Sequence, residues 1–229
     1  MLDRLLEVIN PQPEGDDRFI GDNMHPKGFR VYGGQVLAQA ATAAQATVDP
    51  ERVLHSLHAY FLRPGDTGEP ITLEVERARD GGSFNSRRVV ALQRGKPILV
   101  SSMSFQSACD GLSFQEAMPD VPPPESLINE RQRAIDGGFL DEDFMLTTGE
   151  DLDMRMVDPV DWLNPVQRQG LLRGWIRSNG AMPDDPKLHR AMLVYFSDCM
   201  LLDAGLIQHG LAYEDPRLQV ASLDHALWF

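Results

Sequence analysis

Gly33-Gly34-Gln35-Val36-Leu37-Ala38-Gln39-Ala40-Ala41-Thr42-Ala43-Ala44-Gln45 is the stretch on which the fold turns. A glycine pair precedes an alanine-rich run of high helix propensity, which predicts a helix of about three turns. Its side chains are small, so a sheet can approach the backbone closely, as it must when a helix is wrapped rather than leaned upon. The segments that follow have the signature of strands. Val53 to Leu62 leads into the turn Arg63-Pro64-Gly65-Asp66, and Ile71 to Arg77 then alternates with period two. Asp80-Gly81-Gly82 is a hairpin signal, and Arg94-Gly95-Lys96 divides two further strands, Ser83 to Gln93 and Pro97 to Gln106. Residues 28–106 are therefore expected to form one helix and then four consecutive antiparallel strands.

Beyond this unit, residues 107–160 are acidic and rich in proline (Pro119, Pro122, Pro123, Pro124, Pro159), with one short helix expected near Glu125 to Ala134. Leu171 to Arg177 has the pattern of a strand. Asp184-Asp185-Pro186 supplies an N-cap with proline at the first helical position, predicting a second long helix to about Leu202. Leu218 to Leu223 opens another strand. Tyr32 and Tyr195, and the paired endings His58-Ala59-Tyr60-Phe61 and His225-Ala226-Leu227-Trp228-Phe229, recur about 165 positions apart, so the helix-then-strand unit occurs twice. The second copy is shorter, because about 45 residues of hairpin strands follow Phe61 whereas the sequence ends at Phe229. A helix uncovered by its strands and a long apolar edge are features that natural domains avoid, so a longer parent chain is expected. The expected organisation is residues 1–106, a linker over 107–165, and a shortened second unit over 166–229.

The 229 residues carry 21 Lys+Arg against 34 Asp+Glu, a net charge of −13, and 42% are hydrophobic. That suffices for one large domain or two small ones with a real core. The negative charge disfavours nucleic acid or an anionic membrane as partner, and an anionic small ligand would need local arginines. Cys109 and Cys199 belong to no cluster with metal-ligand spacing, so neither a disulfide framework nor a bound metal is expected. The uncharged run Val31 to Val48 is too polar to span a bilayer, and the first residues lack the basic start and apolar core of a signal peptide. No Asn-x-Ser/Thr acceptor occurs, and a reducing cytoplasm is the expected location.

Asp198 is the strongest anomaly. Its helical neighbours are Val194, Tyr195, Leu201 and Leu202, so a carboxylate lies on an apolar stripe, either satisfied as a buried cap for some loop or used as a base. Asp203, flanked by Cys199, Met200, Leu206 and Ile207, shares some of this ambiguity. Ser222-Leu223-Asp224-His225 gathers a hydroxyl, a carboxylate and an imidazole. Strand alternation would put Ser222 and Asp224 on one face and His225 on the other, which excludes a triad among themselves. His55, His58 and His225 are taken as packed or solvated strand positions, and the cysteines as core. Gly33-Gly34 makes a tight turn and also exposes helix-start amides to a ligand oxygen. Arg63, Arg87 and Arg88 are the candidates to meet phosphates.

Val31-Tyr32-Gly33-Gly34-Gln35-Val36, Leu54 to Asp66, Arg79-Asp80-Gly81, Trp175-Ile176-Arg177, Tyr195-Phe196-Ser197-Asp198 and Ser222 to Phe229 together resemble the type II acyl-CoA thioesterases of the TesB kind. The resemblance implies an α+β double hotdog, two long helices each wrapped by antiparallel sheet, with the second hotdog incomplete in this chain. It implies hydrolysis of medium or long acyl-CoA to fatty acid and CoA, without a covalent intermediate, by water held by an aspartate, a hydroxyl and a glutamine. Asp198 falls on the aspartate and Ser222 on the hydroxyl position, where threonine is common; the glutamine is expected beyond Phe229. Gly33, Gly34, Gln35, Arg87 and Arg88 are the candidate oxyanion and substrate-binding positions, with the amides that start the second helix as an alternative oxyanion site. No cofactor and no metal are implied, and the expected partners are acyl-CoA and further copies of the chain. A peroxisomal address remains compatible with the sequence. The alternatives are a non-catalytic acyl-CoA-binding module and a hotdog enoyl-CoA hydratase, which needs an Asp/His pair facing one cavity.

Overall fold

The computed structural model describes residues 2–25, 30–138, 151–213 and 215–229. At its centre is helix α2 (Gly33–Ala46), and ten of its residues are buried, including Leu37, Ala38, Ala40, Ala43 and Ala44. Burial on nearly every side is possible because six of the fourteen residues are alanine and two are glycine. Gln39, also buried, donates both hydrogens of its amide nitrogen, to the Val8 carbonyl at 2.8 Å and the Asp22 carbonyl at 2.7 Å. These bonds tie the helix to the N-terminal segment, where α1 (Leu2–Val8) adds Leu5 and Val8 to the core.

The wrapping sheet has seven antiparallel strands in the order β1-β2-β4-β5-β6-β3-β9. The expected four are β3 (Arg52–Phe61), β4 (Ile71–Asp80), β5 (Phe84–Gln93) and β6 (Lys96–Ser107). Period-two burial runs the whole length of β5 and the first half of β4, where Ile71, Leu73 and Val75 face the helix. Two short strands were not foreseen, β1 (Gln12–Gly15) and β2 (Arg18–Gly21), which pair with each other and extend the sheet at β4. Four residues each, with Pro13 in the first, give too little periodicity to read.

The second half differs from expectation in three places. Besides the expected short helix, α3 (Glu130–Asp136), the stretch 107–165 holds a strand that was not expected, β7 (Leu152–Met156), which pairs with β8 (Gly174–Ser178) in a separate two-stranded sheet. The second long helix does not run on to Leu202. α4 (Pro186–Phe196), capped by the Asp185 side chain on the Lys187 N–H, stops at Phe196, and α5 (Leu201–Leu206) begins only after a turn in which Met200 has φ +64°. Serine and aspartate compete for backbone hydrogen bonds, and Ser197 does so by donating its hydroxyl to the Val194 carbonyl at 2.7 Å. The region Pro186–His209 has the length and hydropathy of a membrane span, yet this turn divides it and Met192, Val194 and Tyr195 are packed in the core. Finally, the expected last strand opens at Asp224 and not at Leu218: β9 (Asp224–Trp228) pairs with β3, with Ala59 opposite His225. That pairing joins the two halves of the chain in one sheet and brings residues 222–225 beside α2.

Candidate active site

Asp198 lies in the turn after α4, directly against the N-terminus of α2. The approach depends on both glycines. A Cβ on Gly33 would lie 2.6 Å from Asp198 Oδ2, and one on Gly34 would lie 2.4 Å from the Tyr195 carbonyl oxygen. With hydrogen atoms in those places, the end of α4 closes on the start of α2, and the Gly34 N–H donates to the carboxylate. An anion at a helix N-terminus is favoured by the free N–H groups and the dipole. Ser222 Oγ donates to Asp198 Oδ1 at 3.3 Å, and Arg30 adds favourable charge. Burial outweighs all three: the Asp198 side chain is 8% exposed and its pKa is pushed up to about 6.

The turn is held by Tyr32, whose hydroxyl donates to the Tyr195 carbonyl at 3.0 Å and lies 3.1 Å from Cys199 Sγ. The phenol has one proton, so Cys199 is left as donor to the tyrosine oxygen. The rings of Tyr32 and Tyr195 meet edge to face, with centroids 5.0 Å apart. Burial pushes the Cys199 thiol up to about 11, which keeps it protonated and unreactive at neutral pH.

Asp198 and Ser222 open into a cavity of about 380 Å³ whose walls include Met24, Val31, Val36, Phe61, Leu99, Leu202 and Leu223. Arg30 and Arg63 also line it, as does Asp203, pushed up to about 6 by burial and by the Glu130 charge. The cavity is large enough for part of a flexible apolar ligand, with the carboxylate and hydroxyl at one wall.

Of the sequence-predicted site residues, Asp198, Ser222, Gly33 and Gly34 converge. The Gly34 amide is committed to the carboxylate, so it holds Asp198 instead of waiting for a substrate oxygen. Gln35 borders the cavity, but its amide is fully used, donating to Asn23 Oδ1 and the Asp22 carbonyl and accepting from the Met24 N–H at 3.0 Å.

Two assignments are corrected. Arg87 is not a substrate ligand: it is buried at the opposite end of α2, about 20 Å along a helix of this length. Nε donates to Thr47 Oγ1 at 2.7 Å, Nη2 to the Thr47 carbonyl and Asp80, and Nη1 to the Arg79 and Ser86 carbonyls. Arg88 lies on the other face of β5, exposed, 3.6 Å from Glu76. Neither lines the cavity.

Three contributors escaped the sequence reading. Arg30 carries no local signal. Ser197 was submerged in the helical pattern. His225 was set aside on strand alternation, which does not hold because Ser222 precedes the strand: Ser222 and His225 both approach Asp198, whereas Asp224 turns outward to His58 at 3.2 Å.

Residues 20–106 match the family model of the acyl-CoA thioesterase N-terminal domain, and residues 154–229 match that of acyl-CoA thioesterase. The chain is 34% identical to acyl-coenzyme A thioesterase 8 of Homo sapiens, over 97% of this chain and 72% of that protein. It is 32% identical to acyl-CoA thioesterase 2 of Haemophilus influenzae, over 100% and 81% respectively. The crystal structure of an acyl-CoA thioesterase II, TesB2, from Mycobacterium marinum superposes with a TM-score of 0.75 at 37% identity, covering 98% of this chain and 77% of that one. The wrapped helix, the continuous sheet and these matches over both halves place the chain in the acyl-CoA thioesterase family, with its α+β hotdog fold.

Proposed function

We propose that this chain hydrolyses acyl-CoA thioesters to a carboxylic acid and free CoA, with Asp198 as the general base for the attacking water. The observation that carries this is a buried carboxylate, held by a helix N-terminus and the Ser222 hydroxyl, opening on an apolar cavity. With a pKa of about 6 it is ionised at neutral pH, yet it is a stronger base than an ordinary carboxylate. Ser222 serves as the second anchor of the water. As the water oxygen bonds to the thioester carbon, its proton passes to Asp198. The C–S bond then breaks with its electron pair on sulfur, and the thiolate takes the proton back. The acyl chain occupies the apolar walls, and Arg30 and Arg63 offset the charge of CoA in a chain of net charge −13.

The test is thiol release from acyl-CoA by the wild type and by Asp198→Asn, with circular dichroism to verify folding. A loss of about 10²–10⁴-fold in kcat is expected for a removed general base. A folded Asp198→Asn protein with undiminished turnover would overturn the assignment, and a wild type that binds acyl-CoA without releasing thiol would be the non-catalytic module. The hydratase alternative needs an Asp/His pair facing one cavity, and although His225 lies 3.7 Å from Asp198, it does not line the cavity into which Asp198 opens. Loss of conjugation in a 2-enoyl-CoA without thiol release would decide for it.

A further inference from the structure

His225 Nδ1 lies 3.7 Å from Asp198 Oδ1, and the two side chains are only 4% and 8% exposed. On the far side of the ring, Nε2 is 2.9 Å from Ser197 Oγ. The Ser197 hydroxyl donates to the Val194 carbonyl at 2.7 Å, near the C-terminal end of α4. A serine hydroxyl has a single proton. With that proton committed to the carbonyl, Ser197 is left to accept from the imidazole, so His225 carries its hydrogen on Nε2. Burial also pushes the imidazole pKa down and keeps the ring neutral. Nδ1 therefore presents a bare lone pair toward a carboxylate oxygen that it cannot hydrogen-bond, and two lone pairs facing each other in a buried site disfavour the negative charge on the carboxylate.

We propose that His225 is a positioning residue for Asp198: Ser197 fixes the imidazole as the Nε2–H tautomer, and its bare Nδ1, aimed at Oδ1 from 3.7 Å, disfavours the ionised carboxylate and so keeps Asp198 basic enough to take the proton from water. This rests on the hydrolytic role assigned to Asp198 above. The balance is one proton: it leaves water as the C–O bond forms, resides on Asp198, and goes to the thiolate once the C–S bond has broken. The charged groups around the pair act in opposite senses. Asp224, next along β9 and paired with His58 of β3, favours a protonated imidazole, whereas Arg30 and the Gly34 N–H favour the ionised carboxylate. Tyr32 and Cys199, packed against the same turn, stay neutral because burial raises both.

The experiment uses the full chain. Imidazole nitrogen-15 resonances, assigned to His225 by their loss in His225→Gln, report the tautomer directly. The wild type is expected to show Nε2 protonated and Nδ1 bare. In Asp198→Asn the His225 titration should move to lower pH, because a neighbouring negative charge is gone. In turnover, His225→Gln retains a donor for Ser197 but has no lone pair that titrates. Its kcat should fall by about 10-fold as the base it faces weakens, with KM unchanged and the acid limb of kcat/KM moved to lower pH. Ser197→Ala frees the tautomer and should shift the same limb, and Ser197→Thr should restore it. A wild-type resonance pattern with the hydrogen on Nδ1, or a His225→Gln protein with the wild-type rate and pH profile, would overturn the proposal. Should His225→Gln fail to fold, the Ser197 pair and the nitrogen-15 spectra still decide it. If the wild type releases no thiol at all, the hydrolytic role fails, and the spectra alone judge whether the pair exists.

Discussion

Helix α2 has a buried ionisable side chain against each of its ends, and the two are accommodated in opposite ways. At the C-terminal end Arg87 is saturated, with every guanidinium nitrogen donating to a carbonyl, a hydroxyl or the Asp80 carboxylate. At the N-terminal end Asp198 has the Gly34 amide, a 3.3 Å bond from Ser222 and an imidazole that offers it no hydrogen, and it opens on a cavity. Each charge has the sign that complements its end of the helix. What separates them is satisfaction, not burial. A fully bonded buried charge is architecture, and one left short of partners beside a cavity is held ready for a proton.

The contrast breaks most visibly at Arg87. Arg87→Met would strand the Thr47, Arg79 and Ser86 carbonyls and is expected to cost about 3–5 kcal/mol in urea unfolding, as for one member of a buried polar cluster. The fraction that remains folded should keep the wild-type KM for acyl-CoA. A raised KM without lost stability would return Arg87 to the substrate.

Asp198→Asn should move stability the other way. The folded-state pKa of about 6 is above the unfolded value near 4, so the folded protein binds the proton more tightly in that window. Stability contributed by this group is present in full below about pH 4, declines as pH rises to about 6, and stays lost at neutrality. Removing the charge is expected to return about 2–3 kcal/mol at neutral pH while abolishing turnover, and the difference should vanish near pH 4. Equal stability at both pH values would mean that the carboxylate is as well satisfied as Arg87.

Gly34→Ala probes the contact that creates the unsatisfied end. The added Cβ would lie 2.4 Å from the Tyr195 carbonyl, a backbone atom that cannot swing away, so α4 must retreat from α2. A cost of about 1–3 kcal/mol is expected, with kcat reduced because the Gly34 N–H no longer reaches Asp198. Gly34→Ala with an unchanged kcat would show that the helix N-terminus does not position the base.

The helix and the four strands from residue 33 to 107 were legible because local signals and tertiary packing agree there: small side chains for a wrapped helix, and period two for strands with one buried face. Asp198 was legible as a carboxylate on an apolar stripe. The turn after it was not, because Cys199, Met200, Leu201 and Leu202 continue the apolar pattern of a helix, and the turn that Ser197 starts packs against Gly34, more than 160 positions away in sequence. His225 was misjudged because the strand was started about six residues too early, and alternation is only as good as the boundary it counts from. The paired Arg87 and Arg88 failed for a reason the sequence did contain. Neighbours on a strand point to opposite faces, so the two could never have met one phosphate together.

That last point yields the smallest expected effect and the cleanest control. Arg88 and Glu76 are 56% and 62% exposed at 3.6 Å, and pairs of this kind contribute little in water. Arg88→Ala should lie within about 0.5 kcal/mol of the wild type and leave KM unchanged, and the double variant with Arg87→Met should be no less stable than Arg87→Met alone by more than that margin. The informative departure is kinetic. If Arg88→Ala raised KM for acyl-CoA, and did so less at high salt, the CoA phosphates would run over the outer face of the sheet. Arg63, at the cavity, would then be only the first of the cations they meet.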